Sequence, residues 1–275
     1  FFPDVIPAFF LKLFYPKTKW VQCIFHIYQN WQERPGNKII NFLAQQSQKF
    51  SFLLIKKADI IININIGTKA SLVEMGFDSK KIRINPVGID SDMISKIKPL
   101  KIKKYDGIFI GRINPSKGVF DLPKVWKMVV KKNPKARLAI VGSGDKSNTD
   151  NLNKQIKDSR LEDNISIYGY VSDEEKYQLI KSSKIFVFPS HEEGFGIVIA
   201  ESMACGIPVV TWDLPVYKGI FSGKNIESKL GDYKDLAQKI TELLDNNSKR
   251  IAIGKNGKKF IKKYSWSDIA YKEKE

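Results

Sequence analysis

An α/β fold built on a parallel, doubly wound sheet is what this sequence predicts. Three observations carry that expectation. Between residues 104 and 230, short apolar runs alternate with amphipathic helical stretches, and such alternation joins parallel strands by right-handed crossovers. Four consecutive apolar runs end in glycine-containing loops, at the edge where open α/β sheets bind ligands. The chain has 275 residues, 43% of them apolar, enough for two domains with cores of their own.

Along the first part, the apolar run 5–14 reads as a core helix followed by a strand. It holds Lys12 and is too short to span a bilayer. Residues 19–27 are expected as a buried strand, with His26 near its end facing a cleft. A loop carrying Trp31, Glu33, Arg34 and Gly36 follows. Residues 37–57 have the length and spacing of an amphipathic helix. Then come a strand at 60–66, a helix from Gly67 to Glu74 stopped by Gly76, and a short strand at 81–85. Residues 86–90 form a turn, and the Lys-rich, weakly periodic stretch 91–103 reads as a linker.

The second part is more regular. Strands are expected at 107–110, 137–141, 165–168, 184–188 and 209–212, with helices at 122–132, 151–158, 174–182 and 196–203. Asp121 and Asp173 stand where they can cap the first and third of these helices, and Pro123 is tolerated in a first turn. Helices at 234–244 and 248–263 follow, and another begins at 266–271.

Composition excludes several classes. The net charge is +17, but only six of the 46 basic residues are Arg. Nucleic-acid surfaces favour the Arg fork, so a solvated Lys-rich surface or an anionic membrane surface fits better than nucleic acid. Cys23 and Cys205 lie far apart in apolar surroundings and read as buried thiols of a reducing compartment. With two histidines, His26 and His191, and no Cys/His cluster, a structural zinc is disfavoured. There is neither a P-loop nor a nucleophile elbow. Asp90-Ser91-Asp92 reads as a capped turn rather than a metal motif.

The stretch 190–208 concentrates the chemistry. A polar loop with Gly194 and Gly196 follows an apolar strand and opens a helix, whose first amides favour an anion. Glu193 precedes that helix and Glu201 lies within it. The loop 111–118 carries Arg112 and Lys117 between Gly111 and Gly118, the residue types that grip phosphate. Gly142 and Gly144 end the next strand, and Gly169-Tyr170-Val171 end the one after. Four such loops in register define a cleft for a nucleotide diphosphate. The bland readings stay open at this point: two solvated cations, a helix-start carboxylate, a surface glutamate and a core histidine.

The segments 109–118 (FIGRINPSKG), 140–145 (IVGSGD), 168–180 (YGYVSDEEKYQLI) and 188–213 (FPSHEEGFGIVIAESMACGIPVVTWD) together resemble the retaining glycosyltransferases of family 4, or glycosyltransferase group 1. The Glu193 to Glu201 spacing matches that family's signature, and 58–90 is similar to the end of its first domain. The resemblance implies a GT-B architecture of two Rossmann-like domains. They are an acceptor-side domain within 1–98, a donor domain at 99–262, and the start of a helix at 263–275 crossing back. It implies that roughly a third to a half of the first domain is missing, on an ordinary domain size.

By the same resemblance, Arg112 and Lys117 hold the diphosphate, Glu193 meets the sugar hydroxyls and Glu201 the ribose. The backbone of Gly194, Phe195, Gly196 and Ile197 meets sugar and phosphates, and His26 lies near the transferred sugar. Gly111, Gly142, Gly169, Tyr170 and Val171 complete the donor side. The implied reaction is metal-independent, uses no cofactor, and moves a hexose-type sugar from a nucleotide sugar to a glycan or lipid-linked acceptor. It would run in the cytoplasm or at the inner membrane face. The alternatives are a same-fold epimerase or phosphorylase, or a non-catalytic nucleotide-sugar-binding protein.

Overall fold

The computed structural model describes residues 2–273 apart from Gln29, Pro35, 102–104 and Ser222. Among these residues nine strands form two parallel sheets. The first sheet has the order β1-β2-β3, built from β1 (Val21–Ile24), β2 (Ile60–Asn63) and β3 (Ile82–Ile84). Helices α1 (Phe2–Phe14), α2 (Lys38–Ile55) and α3 (Ile66–Glu74) accompany it. A short helix, α4 (Ser91–Lys96), leads to the second unit.

The second sheet is built from β4 (Tyr105–Ile110), β5 (Leu138–Val141), β6 (Ile165–Gly169), β7 (Ser183–Phe188), β8 (Val209–Trp212) and β9 (Ile226–Ser228). Between the strands run α5 (Leu122–Lys132), α6 (Lys146–Asp158), α7 (Asp173–Lys181), α8 (Ile197–Ala204) and α9 (Pro215–Ile220). Helices α10 (Tyr233–Asp245), α11 (Asn247–Ile261) and α12 (Trp266–Glu273) close the chain. The strand order is β6-β5-β4-β7-β8-β9. Counted within the unit this is the doubly wound order, and it reverses between β4 and β7.

The second core is dense because its strands are covered on both faces. Ile108, Phe109, Leu138, Ile140, Ile185, Phe186 and Val187 are fully buried, with Trp126 of α5 and Trp212 of β8 beside them. Phe188 stacks on Phe109 and on Phe186, each at 5.7 Å between ring centres. Burying one such side chain contributes about 1.5–3 kcal/mol. The first unit has a smaller core around Val5, Ile24, Phe52, Ile55, Ile61, Leu72 and Phe77.

Several expectations change. The strand expected at 19–27 is only Val21–Ile24, and its Val21 and Cys23 are exposed. Residues 91–96 are not linker: Asp90 caps α4 by accepting from Met93 N, and Ile94 is fully buried in the second core. The strand expected at 60–66 ends at Asn63 because Asn65 caps α3 through Thr68 N. Asp121 does not cap α5; it already has helical backbone angles within a 3-10 turn, which denies it capping geometry. Ser172, not Asp173, caps α7. Helix α9 and strand β9, absent from the expected elements, begin at Pro215 and Ile226. In α1, Val5 is buried as expected of a core helix, but Leu11, Leu13 and Phe14 are exposed.

The two thiols also separate. Cys23 is exposed, whereas burial pushes the Cys205 thiol up to about 12, and the carboxylate of Glu201 adds to it. A thiolate reagent at pH 8 is therefore expected to label Cys23 in the native protein and Cys205 only on unfolding. Thiol titration with and without denaturant checks this; native labelling of both at one rate would contradict it.

Candidate functional site

The reversal of strand order between β4 and β7 splays the loops that follow them, and a crevice opens at their carboxyl ends. Both loops are fixed by backbone rather than by chance packing. Gly118 has φ +69°, and a Cβ there would run into the Pro189 carbonyl. The two loops are thus in direct contact, sealed by His191 N donating to Ser116 O at 2.9 Å. The next two loops join the same edge: Gly111 N donates to Val141 O, and Gly142 N to Gly169 O.

The first unit meets this edge with its own carboxyl ends. Asn65, after β2, donates its side-chain amide to Gly194 O at 3.0 Å. His26, just beyond β1, bonds Glu192 Oε1 through Nε2 at 2.8 Å. Between the units lies a cavity of about 470 Å³. Its walls are Phe25, Ile64, Val87, Ile110 and Phe188, and its polar groups come from His26, Lys117 and Glu193 with the backbone of Gly111 and 194–197. A second cavity, of about 320 Å³, adjoins it and shares His26, Glu193 and Gly194; Asn65, Thr68 and Ser71 supply its polar wall.

The carboxylates are held in different ways. Glu193 forms an ion pair with Lys117, and Ser190 Oγ lies 3.2 Å from the same oxygen. Glu201 sits one helix turn inside α8 and is nearly buried; its Oε1 accepts from Tyr177 OH at 2.6 Å and from Lys176 at 2.9 Å. Burial would lower Lys176, but Glu201 and Asp173 outweigh it and hold the ammonium above its ordinary range. Helix α8 begins at Ile197, after Gly196 in the left-handed region at φ +89°.

The expected site residues divide into two groups. His26, Gly111, Lys117, Glu193, Gly194, Phe195, Gly196 and Ile197 line the larger cavity together. Arg112 is exposed and outside that wall, as is Tyr170 at 86% exposure. Val171 packs on the second core, while Gly142, Gly169 and Glu201 are not among the residues that line the cavity. The residue the sequence reading missed is Glu192. It is 5% exposed, and its second oxygen accepts from Arg34 Nε at 2.8 Å. Two adjacent glutamates directly after a buried apolar strand were its available signal, since a buried carboxylate requires partners. His191 bonds Asp121 at 2.8 Å, and Asp121 also accepts from Trp212 and Tyr233, so this pair braces the loop from below.

Residues 90–260 match the model of the family described as glycosyl transferases group 1. The chain belongs to that family. Among curated relatives of this group 1 chain, the capsular polysaccharide biosynthesis glycosyltransferase CapM of Staphylococcus aureus is 29% identical over 220 residues, 78% of this chain and 57% of that protein. A phosphatidyl-myo-inositol mannosyltransferase of Mycobacterium tuberculosis is 30% identical over 207 residues, 71% of this chain and 53% of that one. The chain spans about half the length of these relatives. Among solved structures, HepE of Anabaena with UDP-glucose superposes with a TM-score of 0.82 at 18% identity, over 99% of this chain and 75% of that one. TarM of S. aureus gives 0.76 at 23%, over 97% and 53%. At such identities the likeness shows the fold, which is GT-B: two Rossmann-like units with the carboxyl edges of their sheets facing each other.

Proposed function

We propose that the protein carrying this chain is a retaining glycosyltransferase that moves a hexose-type sugar from a nucleoside diphosphate donor. The observation that supports it is the convergence of Lys117, Glu193, His26 and the start of α8 on one cavity between the units. The relatives named for capsular polysaccharide and phosphatidyl-inositol mannose transfer support a glycan or lipid-linked acceptor. Exposed Leu13 and Phe14 beside Lys17 and Lys19 support contact with an anionic lipid surface.

In this reading the bond between the anomeric carbon and the β-phosphate oxygen breaks, and the acceptor hydroxyl oxygen bonds to the same face of that carbon. The hydroxyl proton passes to the leaving phosphate. Positive charge grows on the sugar and negative charge on the phosphate. Lys117, the Gly196–Ile197 backbone and the fork of exposed Arg112 would meet the phosphate charge. Glu193 would exchange its ion pair with Lys117 for sugar hydroxyls, releasing the ammonium to the diphosphate. This assigns the cations the work that a divalent metal does elsewhere. The test is nucleotide release by the full-length protein from UDP-glucose, UDP-N-acetylglucosamine and GDP-mannose, with and without saccharide acceptors. Release from none of these donors would sink the proposal.

Glu201 would bind the ribose rather than the reacting sugar. Glu201→Gln is therefore expected to raise the donor KM about tenfold, the loss of roughly 1.4 kcal/mol, and to change kcat less than about threefold. Steady-state kinetics check this. A kcat loss exceeding the KM effect would move Glu201 into the chemistry.

A further inference from the structure

Glu192 is a buried carboxylate with two cationic-type partners from the opposite unit, and no motif of the transfer reading uses it. Its Oε1 lies 2.8 Å from His26 Nε2 and its Oε2 lies 2.8 Å from Arg34 Nε. Both partners are themselves arranged. The Arg34 guanidinium lies over the Tyr28 ring at 4.3 Å, and the His26 ring meets the same Tyr28 edge-on at 5.7 Å. Gln48, buried on α2, clamps the backbone between them, donating to His26 O and accepting from Tyr28 N. Burial alone would raise the Glu192 carboxyl, yet the hydrogen bonds from His26 and Arg34 outweigh it and hold the group below the usual carboxylate range.

An ionised carboxylate only accepts hydrogen bonds. The proton between Glu192 and His26 therefore resides on Nε2, whether the ring is neutral or cationic. Arg34 supplies the compensating charge, so Glu192 is not neutralised at the expense of the imidazole. His26 lines both cavities, one on the side of Lys117 and the other on the side of Thr68 and Ser71. Fixing one ring nitrogen by a second group determines what the other offers, as it does for metal-bound and catalytic histidines.

We propose that Glu192, braced by Arg34, is a positioning residue that fixes His26 with Nε2 protonated and leaves Nδ1 as the nitrogen presented to a sugar hydroxyl in the cleft. Glu192 and Glu193 thus divide the loop's work. Glu193 turns toward Lys117, while Glu192 reaches across the cleft and sets the orientation of a first-unit side chain. The sugar as ligand rests on the transfer reading above; the protonation of the ring rests on the contacts of Glu192 with His26 and Arg34 and on the ionised carboxylate they stabilise.

The test uses the full-length protein with ¹⁵N-histidine, the His26 signals assigned by their loss in His26→Gln. Long-range ¹H–¹⁵N correlations are expected to show Nε2 protonated in the wild type. In Glu192→Ala the ring nitrogens should shift toward a mixture of tautomers. Glu192→Gln keeps the volume and one acceptor oxygen, so it remains folded where the alanine variant fails and should give an intermediate pattern. An unprotonated Nε2 in the wild type, or a pattern unmoved by either substitution, overturns the proposal. Kinetics with whichever of UDP-glucose, UDP-N-acetylglucosamine or GDP-mannose turns over supply the second readout. Glu192→Gln should lower kcat about 10- to 100-fold with donor KM nearly unchanged. In a His26→Ala background the same substitution should add nothing. Additive losses would make Glu192 a mere latch between the units and refute the positioning role. A wild type inactive with all three donors would sink the transfer reading, and the ring-nitrogen pattern would then decide the positioning role by itself.

Discussion

Glu193→Gln is expected to lower sugar transfer by about 10²- to 10³-fold with the fold intact, the range seen when one preorganised polar contact to a transition state is removed. Glu193 is held at the cavity wall by Lys117 and Ser190, so its position is fixed before any ligand arrives. The carboxylate has two uses in the proposed cycle. Before binding it stores Lys117 in the cleft, and after binding it accepts from sugar hydroxyls and orients the anomeric carbon. An amide of the same shape retains one acceptor oxygen but not the charge that keeps Lys117 in place. The loss should therefore appear in kcat as well as in donor KM. Because side-chain packing is conserved, the melting temperature should shift by only a few degrees, the response to about 1 kcal/mol. Transfer within threefold of wild type would remove Glu193 from the site.

The sequence exposed the second unit better than the first, for a physical reason. Strands covered on both faces read as continuous apolar runs, and 107–110, 184–188 and 209–212 all fall within observed strands. In the first unit β1 lies at a sheet edge with two exposed positions, so its pattern does not separate strand from loop and the expected element ran too long. Short elements failed for another reason. Helix α4 has six residues and buries only Ile94, too little periodicity to rise above its lysines. Asp121 looked like a cap because capping is a local rule. The bonds from His191, Trp212 and Tyr233 that claim it come from residues 70 to 112 positions away.

The candidate site was legible where it depends on backbone and hidden where it depends on cross-unit pairing. Gly111, Gly194, Gly196 and Lys117 announce themselves because a close backbone approach needs glycine and an anion needs a cation. Glu192 and Arg34 do not, because neither motif nor spacing links residues 158 positions apart. The same is true of the bonds that Lys176 and Tyr177 make with Glu201, since they belong to a different helix, α7.

Gly194→Ala is expected to abolish most transfer, about 100-fold, while leaving each core nearly as stable as before. The glycine faces the first unit across the cleft. A Cβ there would lie 2.5 Å from the Phe25 carbonyl oxygen, and Ile64 stands 3.5 Å away. Backbone oxygen cannot swing aside as a lysine tip can, so the added methyl must displace one unit against the other. It would also strain the bond from Asn65 to Gly194 O. A misplacement of roughly 1 Å between groups on opposite walls suffices for a 10²-fold loss. His26 belongs to one wall, with Lys117 and Glu193 on the other. Ile64 and the adjacent Phe195 belong to the edge of the second core, but Phe109, Phe186 and Phe188 at its centre are not among the groups a Cβ would meet. Donor binding, which the proposed function assigns to the second unit's loops, should weaken less than turnover. Isothermal titration with the active nucleotide sugar beside kcat measurements separates the two. A Gly194→Ala protein with wild-type turnover would show that the two units do not need this contact, and the cleft would lose its claim to be where transfer occurs.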